Sequence, residues 1–288
     1  MADTPAVTIP AEAWDCHVHV FDPARFPYAE ARDYTPAPAS LDALRERLLR
    51  EGVTNTVLVQ PSVYGTDNRC LLWALRELGP NGRAVAVVDP DRVTDAELAD
   101  LQAAGVVGMR VNLVASQARH ADPFRRMAER LRGSGMFLQI FAPLTRILQQ
   151  SKVLEAAGLP VVLDHFAGAR ASDGAEQLDA LERLCRDAPV WVKLSADYRL
   201  DEDRAAQARL ARDLVARLWA VMPERLIWGS DWPHTGGGAD RAARAISQIE
   251  PFRKVDALAV PRLLAEAGLD AEARRQVLSI NPTRLFAR

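Results

Sequence analysis

The sequence predicts an α/β chain folded as a single (β/α)8 TIM barrel. Eight short β-rich runs recur along it, and most are near-continuously apolar, as parallel strands buried on both faces must be. Their starts lie about two dozen to forty residues apart, room for one helix and two loops in each interval. Several intervals carry helical periodicity with start and stop signals.

In order, the first run is WDCHVHVF (14–21). The stretch 22–39 after it is rich in proline and aromatics, and in a barrel it lies over the C-terminal mouth. SLDALRERLLREG (40–52) opens at Ser40, stops at Gly52 and sets Leu41, Leu44, Leu48 and Leu49 on one helical stripe. TNTVLVQ (54–60) and RAVAVV (83–88) are the second and third runs. TDAELADLQAAG (94–105) pairs Thr94 with Glu97 in a capping box before Gly105. VVGMRVNL (106–113), MFLQIF (136–141) and PVVLDHF (160–166) follow, then a helix over 175–188 and VWVKLS (190–195). A long helix over 204–222 leads to the last run, RLIWGSDW (225–232). The 288 residues suit one domain, 1–288, with no linker or low-complexity segment. A doubly wound open sheet would need a glycine-rich phosphate turn after the first run, and WDCHVHVFDP has none.

Composition narrows the function classes. A net charge of -2 gives no basic excess for nucleic acid. No run approaches the ~18 uninterrupted apolar residues of a membrane span. Cys16, Cys70 and Cys185 are odd in number and far apart, which argues against a disulfide framework or a zinc knuckle. A cytoplasmic, reducing setting is expected. Oligomeric state is not legible.

Two of the five histidines, His17 and His19, are two residues apart in the first run, so both face one side of a strand. Asp164 and His165 close the sixth run, and Asp231 closes the eighth, where a buried carboxylate needs a partner. Arg110, inside the fourth run, calls for an anion from substrate or protein. Arg199 after the seventh run can point into the same mouth, with Arg119 a weaker candidate. Ser62 and Tyr34 are loop residues able to donate hydrogen bonds there. Lys193 reads mainly as a salt-bridged structural lysine, His234 as a neighbour of the site and His120 as solvated.

In this order, DCHVHVFDP with FPYAEARDYTPAPAS, VLVQPSVYGTDN, AGVVGMRVN, VVLDHFAG, VWVKLS and RLIWGSDWPH resemble the amidohydrolase superfamily. More narrowly they resemble its 2-pyrone-4,6-dicarboxylate lactonase-like branch, over nearly the whole chain. The resemblance implies a barrel that hydrolyses lactones or related esters, in aromatic catabolism, on a small carboxylated lactone. It implies that His17, His19, His165 and Asp231 form the catalytic set. Arg110, Arg199, Tyr34 and Ser62 would then contact substrate. Two departures stand out: Ser116 falls where the branch carries a further arginine, and HFAGAR has Gly168 at the arginine of a His-x-Gly-Arg pattern, with Arg170 later. The pyrone dicarboxylate is thus not singled out over another carboxylated lactone.

Metal-dependent relatives add a fifth-strand histidine, and here that strand carries Gln139. No cofactor is therefore expected. His17, His19 and Asp231 still leave three ligands open for one divalent ion such as zinc, as a metal-dependent hydrolase or decarboxylase would need. In the metal-free reading Asp231 is the general base and the three histidines polarise the carbonyl.

Overall fold

The computed structural model describes residues 8–114, 122–237 and 244–286. Eight strands form one parallel sheet: β1 (Trp14–Val18), β2 (Asn55–Val59), β3 (Gly82–Ala86), β4 (Val106–Asn112), β5 (Phe137–Phe141), β6 (Val161–Leu163), β7 (Val190–Leu194) and β8 (Leu226–Trp228). Each pairs with the next in chain order. The eight predicted runs are these eight strands, trimmed at their ends except that β3 begins one residue earlier, at Gly82.

The sheet closes where the segment after β8 meets β1. Asp231 N–H donates to the His17 carbonyl and His19 N–H to the Trp232 carbonyl, both at 2.9 Å. Gly229 permits this approach, because a Cβ there would sit 2.6 Å from His17 Cβ. The Asp15 carboxylate ties the seam a second time, accepting from Ser230 N–H at 2.8 Å and His17 N–H at 3.2 Å. Arg47, buried on the first helix (Leu41–Glu51), neutralises Asp15 and also meets Glu51 at 2.6 Å.

Ser40 caps that helix by accepting from Ala43 N–H, and Gly52 ends it in the left-handed region. Its stripe differs from expectation in one place. Leu49 is 84% exposed. It lies 100° around the helix from Leu48, and Arg47 takes the fourth buried position instead. The Thr94–Glu97 capping box forms with both halves made.

Apolar side chains from Trp14, Cys16, Val57, Val85, Val162 and Ile227 meet in one cluster, with Leu285 and Phe286 of the last helix packed against it. This fills the lumen beneath the site. A register shift between Asp15 and Val18 lets β1 supply Cys16 to that cluster and His17 to the layer above it. The sixth run ends earlier than predicted, at Leu163. Residues 165–168 follow with φ of 53, 54, 57 and 67°, a left-handed turn. A Cβ on Gly168 would overlap the Ala142 carbonyl oxygen, so glycine is required where the turn crosses β5. Among the described residues no helix is long and apolar enough to cross a membrane.

Candidate active site

At the C-terminal mouth of the barrel, three imidazoles converge on one carboxylate oxygen. Nε2 of His17, His19 and His165 lie 3.5, 3.6 and 3.9 Å from Asp231 Oδ1. All four groups are buried. Asp231 arrives with φ 64°, a left-handed backbone that costs energy in a non-glycine residue and aims its side chain at the histidines.

The outer nitrogens are held by different partners. His19 Nδ1 lies 2.7 Å from the Val59 carbonyl oxygen, an acceptor, so Nδ1 carries a proton and Nε2 is the atom turned to Asp231. His165 Nδ1 lies 2.8 Å from Ser195 Oγ. His17 Nδ1 lies 3.3 Å from Lys193 Nζ and 3.4 Å from Asp164 Oδ1. Burial pulls the His17 pKa down to about 3, with Asp164 opposing and Lys193 assisting. Burial also takes His165 well below the ordinary histidine value, against the attraction of Asp231.

Beneath the histidines lies a second polar layer. Lys193 Nζ meets Gln139 Oε1 at 2.9 Å and Asp164 Oδ1 at 3.0 Å. Gln139 Nε2 donates to Asp164 Oδ2 at 3.0 Å, and Arg110 Nε lies 3.5 Å from the same oxygen. Burial alone would raise the Asp164 pKa, but Lys193, His17 and Arg110 outweigh it and hold the carboxyl well below its usual range. The fifth-strand position that lacks a histidine is thus occupied by a bridging amide.

On the other side, Tyr198 OH donates to Asp231 Oδ2 at 2.5 Å and Arg199 Nη2 approaches that oxygen at 3.4 Å. Burial beside Asp231 pushes the Tyr198 phenol well above its ordinary value, so it remains a donor. Burial would raise Asp231 as well, but His165, His19, Arg199 and His17 hold it well below the carboxylate range. Asp231 therefore has one engaged oxygen, Oδ2, and one, Oδ1, facing only imidazoles. The guanidinium groups of Arg110 and Arg199 each lie 5.6 Å from the Phe141 ring centroid, flanking one aromatic spacer.

The sequence-predicted residues come together. Tyr34, Ser62, Arg110 and Arg199 line one chamber with His19, His165 and Asp231, and His17 lies buried beside them. A larger recess of about 220 Å³, walled by Val87, Val111, Leu113 and Met127, adjoins it across Ser62 and Arg110. Arg170 donates to the Arg199 carbonyl at 3.3 Å and does not line this chamber. Ser116, Arg119 and His120 lie outside the described residues. His234 is buried next to the site, its pKa lowered to about 4 by burial, with its ring 6.2 Å from Tyr198. Sequence reasoning passed over Tyr198, Phe141, Ser195 and the part played by Asp164. Ser195 follows Lys193 at the two-residue strand period and Phe141 follows Gln139 likewise, a signal that was readable.

The residues present also fit a metal ion. His17 Nε2 is buried with no hydrogen-bond partner among the described residues, and it stands with His19 and Asp231 in a set whose ligand atoms lie within 4.8 Å of one another.

A family model described as Amidohydrolase matches residues 14–288. A 4-sulfomuconolactone hydrolase from Rhizobium radiobacter is 34% identical over 293 residues, covering 96% of this chain and 91% of that protein. A 2-pyrone-4,6-dicarboxylate hydrolase from Comamonas testosteroni is 30% identical, covering 98% of this chain and 92% of that protein. A crystal structure of a candidate 2-pyrone-4,6-dicarboxylic acid hydrolase from Pseudomonas putida is similar with a TM-score of 0.80 and 30% identity, covering 97% of this chain and 98% of that one.

Proposed function

We propose that this chain, which belongs to the amidohydrolase family, hydrolyses a carboxylated lactone without a metal cofactor. The observation that carries the reading is the division of labour on Asp231: Tyr198 and Arg199 take Oδ2, leaving Oδ1 turned toward the chamber. The names of the relatives support the lactone class.

Asp231 Oδ1 accepts a proton from a water molecule held between it and His19 Nε2. The oxygen of the water attacks the lactone carbonyl, and negative charge on the carbonyl oxygen is met by His17 and His165. A donor role for His165 at Nε2 makes Ser195 the donor to its Nδ1, 2.8 Å away. The intermediate collapses by breaking the ring C–O bond, and the proton on Asp231 passes to the departing ring oxygen. Arg110 and Arg199, spaced by Phe141, fix the substrate carboxylate, with Tyr34 and Ser62 at the rim. Fewer matched arginines than in the pyrone dicarboxylate pattern favour a substrate with fewer anionic groups than 2-pyrone-4,6-dicarboxylate, which serves as the comparison substrate.

A second reading follows from the convergence of the imidazoles. One divalent ion such as zinc would be held by His17, His19 and Asp231, and would polarise a carbonyl in a hydrolase or a decarboxylase. Charge favours the first reading. Asp164 and Asp231 are already in contact with Lys193, Arg110 and Arg199, two anions against three cations. An anionic substrate offsets that surplus, whereas a divalent cation adds to it.

A panel of carboxylated lactones assayed by proton release tests the class. Ring opening of at least one is expected, and no turnover on any would sink the assignment. The pH profile follows from the shifts. The base acts ionised, its pKa lies below the ordinary carboxylate range, and buried His17 and His165 are neutral at neutral pH. The contributions of Asp231, His17 and His165 therefore make kcat/KM fall on the acid side, as Asp231 protonates. A mechanism that needs an imidazolium would instead lose activity as pH rises through about 6.5.

A further inference from the structure

We propose that Lys193 is a positioning residue that holds His17 as the neutral Nε2–H tautomer, so that an uncharged imidazole presents a fixed N–H to the substrate carbonyl. This rests on the lactonase reading for its catalytic meaning, but the tautomer stands on geometry alone. An ammonium has three protons and no lone pair. Lys193 Nζ has three acceptors in reach: Gln139 Oε1 at 2.9 Å, Asp164 Oδ1 at 3.0 Å and His17 Nδ1 at 3.3 Å. The Gln139 amide cannot serve in reverse, because its NH2 donates to Asp164 Oδ2.

The rival for His17 Nδ1 is Asp164 Oδ1, 3.4 Å away. That oxygen is already ion-paired to Lys193 Nζ at 3.0 Å, and the Lys193 contact to Nδ1 meets hydrogen-bond geometry. A proton on Nδ1 would also point one donor at another across 3.3 Å in a buried site. With Nδ1 as acceptor, the ring's proton is on Nε2, the buried atom with no partner among the described residues and with Asp231 Oδ1 3.5 Å away.

His17 and His19 then differ at Nδ1 though they are two residues apart. Val59 holds a proton on His19 Nδ1, whereas Lys193 leaves His17 Nδ1 bare and makes that ring a donor at Nε2. His17 then donates to the carbonyl oxygen from Nε2 without needing a charge. The same assignment removes the lone pair through which His17 would hold a metal ion.

Nitrogen-15 NMR of histidine-labelled protein reads the tautomer directly, with the His17 signals identified by their loss in His17→Asn. The expected spectrum has Nε2 protonated and Nδ1 bare. Asp164→Asn should keep that pattern, since Lys193 remains. Lys193→Met should move the proton to Nδ1 and lower kcat about 100-fold, with KM within about threefold, as loss of one oxyanion donor does. A proton on Nδ1 in the unmodified protein overturns the proposal, as does a tautomer that follows Asp164 rather than Lys193. The unmodified spectrum decides even where a variant fails to fold. It uses no substrate, so failure of the lactone panel is a separate result.

Discussion

Asp231→Asn is expected to lower kcat about 10³-fold while KM stays level or falls. Asparagine keeps the shape of the side chain, and its amide oxygen can still accept from Tyr198, which now donates at 2.5 Å. It cannot take a proton from water at neutral pH. KM holds or falls because Arg199, released from its 3.4 Å ion pair, has only the substrate carboxylate to neutralise it. Steady-state kinetics on any lactone that the enzyme opens checks both numbers. An unchanged kcat removes Asp231 from the role of base.

Arg110→Met is expected to raise KM for a carboxylated lactone about 10- to 100-fold and to change kcat much less. A buried guanidinium facing a carboxylate is worth a few kcal/mol in binding. Methionine keeps the apolar stem against Phe141 and loses the charge. Asp164, which Arg110 also approaches, keeps Lys193 and Gln139 as partners, so the layer beneath the histidines survives. The control is an uncharged lactone of the same ring size. An equal loss on it would show that Arg110 supports the fold of the site and does not read the carboxylate.

Much of this was legible in the sequence for physical reasons. Strands buried on both faces must be apolar, so their runs stood out, and a charge inside one, such as Arg110, stood out against them. Trimmed strand ends and the exposed Leu49 reflect local geometry that periodicity averages over. The polar layer was less legible. Gln139, Asp164, Lys193 and His17 come from β5, the end of β6, β7 and β1, and no spacing along the chain tells which side chains meet across a lumen. Gln139 was read as a missing ligand, and the structure makes it the amide that orders Lys193 and Asp164. Tyr198 was passed over beside Arg199 because a tyrosine after a strand has many uses. Its grip on Asp231 depends on a left-handed backbone at residue 231 that sequence alone does not show.

Metal-independent hydrolysis with Asp231 as the base is the central proposal. The most direct measurement is proton release on a carboxylated lactone by protein stripped with a strong chelator, its metal content determined on the same sample. The account predicts that turnover is retained within about twofold with metal far below one equivalent. Loss of turnover on stripping, restored in proportion to one added equivalent of zinc, would contradict it.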